Sequence, residues 1–247
     1  MTNFIQQLNI AHLYPDLLNI YGDKGNVISL CKRCEWRGIE VNVSNINLGD
    51  EIDPQKYDIY FMGGGQDKQQ IAVSKELQLR KEALKEAAED NAVFLTICGG
   101  YQLLGHYYQP MDAEKLLGIG ILDAYTEASN NRYIGNVTVE TNFLTPKTLV
   151  GFENHSGLTY LGNGVEPLGK VVVGKGNNGK DGFEGAHYKN VFGTYLHGSL
   201  LPKNPVFADH LILEALKRKY KDNNIKLQPL DDEVEMLAHN GVIGKKY

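Results

Sequence analysis

The chain reads as an α/β protein built on a central, mostly parallel sheet flanked by helices, with added antiparallel strands. Three observations predict this. Strand-like and helix-like runs alternate up to about Tyr108, the rhythm of βαβ units. An apolar run over 92–97 delivers a cysteine into two glycines and a helix-capable segment. After Gln109 the texture shifts to β-like runs separated by turn residues.

The elements follow in order. Residues 9–14 form a short apolar strand, and a polar loop over 16–25 leads to a helix over about 26–37. Residues 39–46 alternate with period two, Val41 and Val43 against Asn42 and Ser44, and read as a strand. A third strand, 57–62, ends in Gly63-Gly64-Gly65. Val73, Leu77, Leu84 and Ala88 recur near helical spacing within a charged helix over about 67–90. The fourth strand is 92–97, and a helix is predicted over 101–108. Strand candidates then cover 119–128, 132–141, 149–154, 170–173 and 191–196. The run 205–220 is a helix with two adjacent apolar i, i+4 rows and a basic last turn. The tail from about 221 to 247 is polar, with a short helix over 231–239. No repeat or flexible linker interrupts the chain, so 1–247 reads as one domain.

The totals exclude several classes. The chain has 247 residues, 42% of them hydrophobic and 22% charged, as in ordinary globular proteins. A net charge of -5 recruits neither nucleic acid nor an anionic membrane. Met1 to Phe4 carries no basic leader, and no apolar run approaches the roughly 18 residues that span a bilayer, so a cytoplasmic location is expected. Of three cysteines, Cys31 and Cys34 form a C-x-x-C in mid-helix. A redox pair would open a helix and a zinc site would need a second pair, so both read as structural.

Cys98 sits at the corner of a strand, a turn and a helix, in Leu95-Thr96-Ile97-Cys98-Gly99-Gly100-Tyr101-Gln102. Such a corner exposes the sulfur at a sheet edge and aims a helix N-terminus at it, which favours the nucleophilic thiolate. A thiolate nucleophile needs a base and donors for the developing oxyanion. Of seven histidines, His197 is the candidate base, because Phe192-Gly193-Thr194-Tyr195-Leu196-His197-Gly198 places it at a strand end; His155 is the runner-up. The glycines 63–65 end the strand expected beside that of Cys98, where backbone N–H groups can approach a ligand, and Gly99 N–H is the second donor. The turn lacks the residues of a phosphate-binding loop or a dinucleotide site.

Together these residues resemble the class I, triad-type glutamine amidotransferases, whose G-x-C-x-G-x-Q elbow stands here as Thr96-Ile97-Cys98-Gly99-Gly100-Tyr101-Gln102. Gly151-x-Glu153-x-His155-x-Gly157, Gly193-Thr194-Tyr195-Leu196-His197-Gly198 and the segment Leu18 to Asn26 resemble the cobyric acid synthase type. The length leaves no room for that enzyme's synthase domain, and the set, with Gly176-Asn177-Asn178 and Leu201-Pro202-Lys203-Asn204, is similar to the stand-alone glutaminase subunits of lipid II isoglutaminyl synthases. The resemblance implies a flavodoxin-like amidotransferase fold and hydrolysis of L-glutamine through a Cys98 thioester. It implies an oxyanion donor at Gly64, glutamine binding by Gln102, and an Arg132 fork on the substrate carboxylate. It also implies a heterodimer with a MurT-like Mur ligase subunit that uses ATP and magnesium to amidate lipid II. No metal or cofactor is implied for this chain.

One departure stands out. Most of that family carries His-x-Glu, but here the sequence is His197-Gly198-Ser199. An oriented imidazole needs a partner on its second nitrogen. Glu153 from elsewhere in the chain, an acid inserted by the partner subunit, or a two-residue dyad are the three answers. The partner is favoured, because it would couple hydrolysis to the acceptor machinery. A subunit of another cobyric-type synthase, or a non-catalytic binding subunit, are the rival readings.

Overall fold

The computed structural model describes residues 6–245; the leader reading at Met1 to Phe4 and the last two tail residues lie outside them. Strands are β1 (Gln7–Leu13), β2 (Glu40–Ile46), β3 (Ile59–Met62), β4 (Val93–Ile97), β5 (Tyr107–Gln109), β6 (Leu116–Leu117), β7 (Ala124–Glu140), β8 (Thr148–Leu161), β9 (Gly169–Val173), β10 (Phe183–Glu184), β11 (Ala186–Tyr188) and β12 (Val191–Thr194). Helices are α1 (Lys24–Glu35), α2 (Asp67–Glu89), α3 (Gly99–Leu104), α4 (Pro205–Tyr220) and α5 (Glu233–Asn240).

Two six-stranded sheets form. The first runs β11-β12-β4-β3-β1-β2 and is parallel throughout except for β11. Its inner strands β3, β4 and β12 are buried at every residue, as expected for parallel strands covered on both faces. The edge strand β2 is half exposed and carries Glu40, Asn42 and Asn45, polar residues that discourage edge-to-edge pairing. Burying a side chain such as Phe94 or Leu95 stabilises the fold by about 1.5–3 kcal/mol each. The second sheet runs β10-β9-β7-β5-β6, with β8 antiparallel to β7. Helix α3 touches β4 and β12 of the first sheet and β5 and β7 of the second, so it sits between the two.

The first sheet fixes the site. Strands β12, β4, β3 and β1 are consecutive neighbours and parallel, so their C-terminal ends share one edge. That edge is where open α/β sheets bind ligands. Behind it, α1 is tied to α4 and the tail by a buried Arg33, which donates to Asp209 and Asp232 at 2.6 to 2.9 Å.

Some expectations are corrected. The helix predicted over 101–108 stops at Leu104, because Gly105 packs so tightly that a Cβ there would lie 2.6 Å from the Ala124 carbonyl, and Tyr107 to Gln109 join the second sheet. The strands predicted over 119–128 and 132–141 are one long strand, β7, interrupted by a bulge between Ala128 and Tyr133. The polar residues Ser129 to Arg132 that suggest a turn form that bulge. Among the described residues no helix is long and apolar enough to cross a membrane.

Candidate active site

Cys98 leaves β4 with φ 51° and ψ -106°, a backbone that a non-glycine residue adopts only where its surroundings enforce it. They do so here. The Cys98 N–H donates to the Thr194 carbonyl at 2.8 Å, and the Cys98 carbonyl accepts from Gln102 N at 2.9 Å. Helix α3 is pressed onto the glycine turn, where a Cβ on Gly100 would lie 2.7 Å from the Met62 carbonyl. The elbow read from the sequence is therefore present.

His197 follows β12 by three residues rather than ending it. Reciprocal backbone bonds with Phe152 of β8, at 2.8 and 3.3 Å, fix it instead. The ring is 1% exposed and converges on Cys98: a Cβ on Gly64 would lie 3.2 Å from both Cys98 Cβ and His197 Cε1. Burial pulls the imidazole pKa down, but the adjacent Cys98 sulfur and the Asp23 carboxylate at 3.6 Å outweigh it and raise the value to about 10. His197 is thus held as imidazolium beside the sulfur.

The third member is Asp23. It is fully buried, and its Oδ1 stands 3.6 Å from His197 Nδ1. Its Oδ2 accepts from the Gly64 N–H at 2.7 Å. Asp23 occupies the N-cap position of α1, where aspartate ordinarily caps the helix, yet its side chain makes no cap bond. Asn19 Oδ1 accepts from Lys24 N at 2.8 Å in its place, leaving Asp23 turned into the site.

This corrects the expectation for Glu153. Its carboxylate accepts from Lys175 N at 2.9 and 3.1 Å and from Gly176 N at 3.0 Å, and stands 3.9 Å from His155 Nε2. It braces a loop, while the carboxylate that faces His197 from within the same chain is that of Asp23. His155 is a cavity wall: its Nδ1 pairs with the Gly157 carbonyl at 2.8 Å, and its ring stacks on Tyr195 at 3.6 Å.

The oxyanion expectation is half corrected. Gly64 N–H is engaged by Asp23, so it does not face the cavity. Among the described residues, the N–H groups of Gly65 and Gly99 make no hydrogen bond, and Gly65 lines the cavity with Cys98. In the glycine turn it is Gly65, one residue along, that lines the cavity, while Gly64 ties the turn to Asp23.

A cavity of about 720 Å³ opens over Cys98. Arg132 and Gln102 both line it. Arg132 stands on the β7 bulge, and its Nε donates to Asn154 Oδ1 at 2.7 Å, leaving the paired terminal nitrogens for an incoming carboxylate. Gln102 is bonded at both ends of its carboxamide, to Gln70 Nε2 at 2.8 Å and to the Tyr195 hydroxyl at 3.1 Å, so it forms the floor.

Asp23 and Gln70 escaped sequence reading. Asp23 resembles a routine helix cap, and Gln70 one more polar residue of a charged helix; only the side chain's neighbours reveal either role. Cys31 and Cys34 lie on α1 as expected, away from the cavity.

A CobB/CobQ-like glutamine amidotransferase domain model matches residues 9–205. The chain is 46% identical over 243 residues to the lipid II isoglutaminyl synthase (glutamine-hydrolyzing) subunit GatD of Staphylococcus aureus (strain N315), covering 98% of this chain and 97% of that protein. It is 43% identical over 231 residues to the subunit of the same name from Streptococcus pneumoniae (strain ATCC BAA-255 / R6), covering 93% and 88%. A cobyric acid synthase of Listeria innocua is 30% identical over 71% of this chain but only 34% of its own length. Among solved structures, a glutamine amidotransferase shares the fold with a TM-score of 0.56 at 14% identity, covering 83% of this chain and 98% of that one. The glutaminase domain of Trypanosoma brucei CTPS with bound acivicin does so with a TM-score of 0.50 at 11% identity, covering 90% and 98%.

Proposed function

This chain belongs to the CobB/CobQ-like glutamine amidotransferases, and from that membership we propose that it is the glutaminase subunit of a lipid II isoglutaminyl synthase. The observation that carries the chemistry is the convergence of Cys98, His197 and Asp23 at one sheet edge. The near full-length match to two GatD subunits, against a third of a cobyric acid synthase, favours the lipid II reaction over that of a cobyric acid synthase.

The reaction begins with Cys98 as thiolate and His197 as imidazolium, oriented by Asp23. The Arg132 fork, set by Asn154, holds the substrate α-carboxylate. The thiolate adds to the side-chain amide carbon of L-glutamine, and the oxygen gains negative charge against the N–H groups of Gly65 and Gly99. His197 gives its proton to the leaving nitrogen, the carbon–nitrogen bond breaks, and ammonia departs from a glutamyl thioester. Water, deprotonated by His197, then releases glutamate and restores the thiolate.

In this reading the ammonia passes to a MurT-type ligase partner in the cytoplasm, which uses ATP and magnesium to activate the D-glutamate α-carboxylate of lipid II. This chain contributes no metal or organic cofactor of its own. The test is to purify the chain with such a ligase and supply lipid II, ATP and a nitrogen source. Cys98→Ser is expected to abolish amidation from glutamine and to leave amidation from free ammonium intact. Amidation from glutamine by Cys98→Ser would refute the role of the thiol.

A further inference from the structure

We infer that Gln70 is a specificity residue of this site, its Oε1 accepting a hydrogen bond from the carboxamide NH2 of the substrate and so selecting an amide over an acid. The inference rests on the glutaminase reading above.

Helix α2 starts immediately after the glycine turn, which brings its first turn against the elbow. Gln70 lies in that first turn, is 2% exposed, and lines the cavity beside Cys98. Its carboxamide rests on the backbone of Gly99, where an added Cβ would come 2.7 Å from Gln70 Nε2 and 2.9 Å from its Cδ. The group therefore sits beside an N–H expected to hold the substrate oxygen. A carboxamide bound with its oxygen on that N–H presents its NH2 to the side.

Gln70 stands at the end of a buried chain of polar groups. Gln70 Nε2 donates to Gln102 Oε1 at 2.8 Å, and Gln102 Nε2 donates to the Tyr195 hydroxyl at 3.1 Å. Tyr195 continues to Thr159 at 2.7 Å and Thr159 to Thr126 at 2.7 Å. Gln70 Oε1 makes no hydrogen bond among the described residues and is not sealed from solvent, so it is the polar atom of that side chain facing the cavity. An acceptor there suits an amide NH2. The γ-carboxylate of glutamate offers only lone pairs and meets it with repulsion, which favours departure of the product. A glutamate at position 70 would not serve, because one of its oxygens would face the acceptor Oε1 of Gln102.

The test compares L-glutamine with L-glutamate γ-methyl ester, which presents the same carbonyl without an N–H donor. Both are assayed on the full chain with its ligase partner, by ammonia and methanol release, with glutamate as inhibitor. Gln70→Met, near-isosteric and without hydrogen bonds, is expected to lower kcat/KM for glutamine about tenfold, the scale of one lost hydrogen bond. The same variant should change the ester by less than about twofold and tighten inhibition by glutamate. Tyr195→Phe, which keeps the ring stacked on His155, should shift the amide-to-ester ratio in the same direction by less. Equal loss on amide and ester would make Gln70 merely structural and overturn the proposal. Weaker glutamate inhibition in Gln70→Met would mean an NH2 faces the cavity, and would overturn it too. If the native protein turns over neither compound, the glutaminase reading itself falls and takes this one with it.

Discussion

Replacing Asp23 by Asn tests the assignment of the third catalytic group directly. The substitution keeps the shape and keeps an oxygen for the Gly64 N–H, but removes the charge 3.6 Å from His197 Nδ1. Two unit charges at that distance in a medium of effective dielectric about 20 attract by about 4.6 kcal/mol. At about 1.36 kcal/mol per decade, complete loss of that attraction from the transition state costs slightly more than three decades of rate. Asp23→Asn is therefore expected to lower kcat for glutamine about 10³-fold while moving KM little, since Asp23 does not line the cavity. Glu153→Gln should leave kcat within about fivefold, because Glu153 holds backbone rather than His197. The assay is ammonia release by the complex, with circular dichroism to confirm folding. Near-native turnover by folded Asp23→Asn, or a larger loss from Glu153→Gln, would refute the assignment.

Other outcomes follow from the same geometry. A glutamine-analogue electrophile at neutral pH should label Cys98 alone: burial pushes the Cys34 thiol up to about 12 and also raises Cys31, which mass mapping of the adducts would check. Arg132→Lys should raise KM for glutamine about tenfold with kcat nearly unchanged, because a point charge replaces a fork; a loss confined to kcat would contradict this. Burial holds the Glu184 carboxyl up at about 7 against bonds from Thr194 and Tyr195. Its folded pKa thus exceeds its unfolded value, so its contribution is fully present below about pH 4.5 and is lost as pH rises through about 7, on the order of 3 kcal/mol. Urea unfolding of Glu184→Gln between pH 5 and about 8 should show that slope removed.

The parts of the site that were legible in the sequence were those fixed by local chemistry. The run from Ala92 to Gln102 reveals the elbow because strand, turn and helix adjoin in the chain. His197 was recognisable from its strand, although two residues separate it from the strand's end and a bridge to Phe152 holds it in place. The acid was not legible, because its partnership is set by which strands become neighbours. Glu153 sits in a motif that looks catalytic and braces a loop, whereas Asp23 sits where a helix cap belongs and faces the base. The second sheet was misread where polar bulge residues imitate a turn.

The order of strands across the sheet also bears on how the protein acquires activity. His197, Cys98, the glycine turn and Asp23 each hang from a different one of four adjoining strands, drawn from distant parts of the chain. No subset of two strands assembles the reacting groups. Catalysis is thus a late and all-or-none reporter of folding. Pairings this distant in sequence form slowly. During refolding from urea, far-UV ellipticity should recover ahead of glutamine turnover, and proteolytic nicks that spare most of the secondary structure should silence the enzyme.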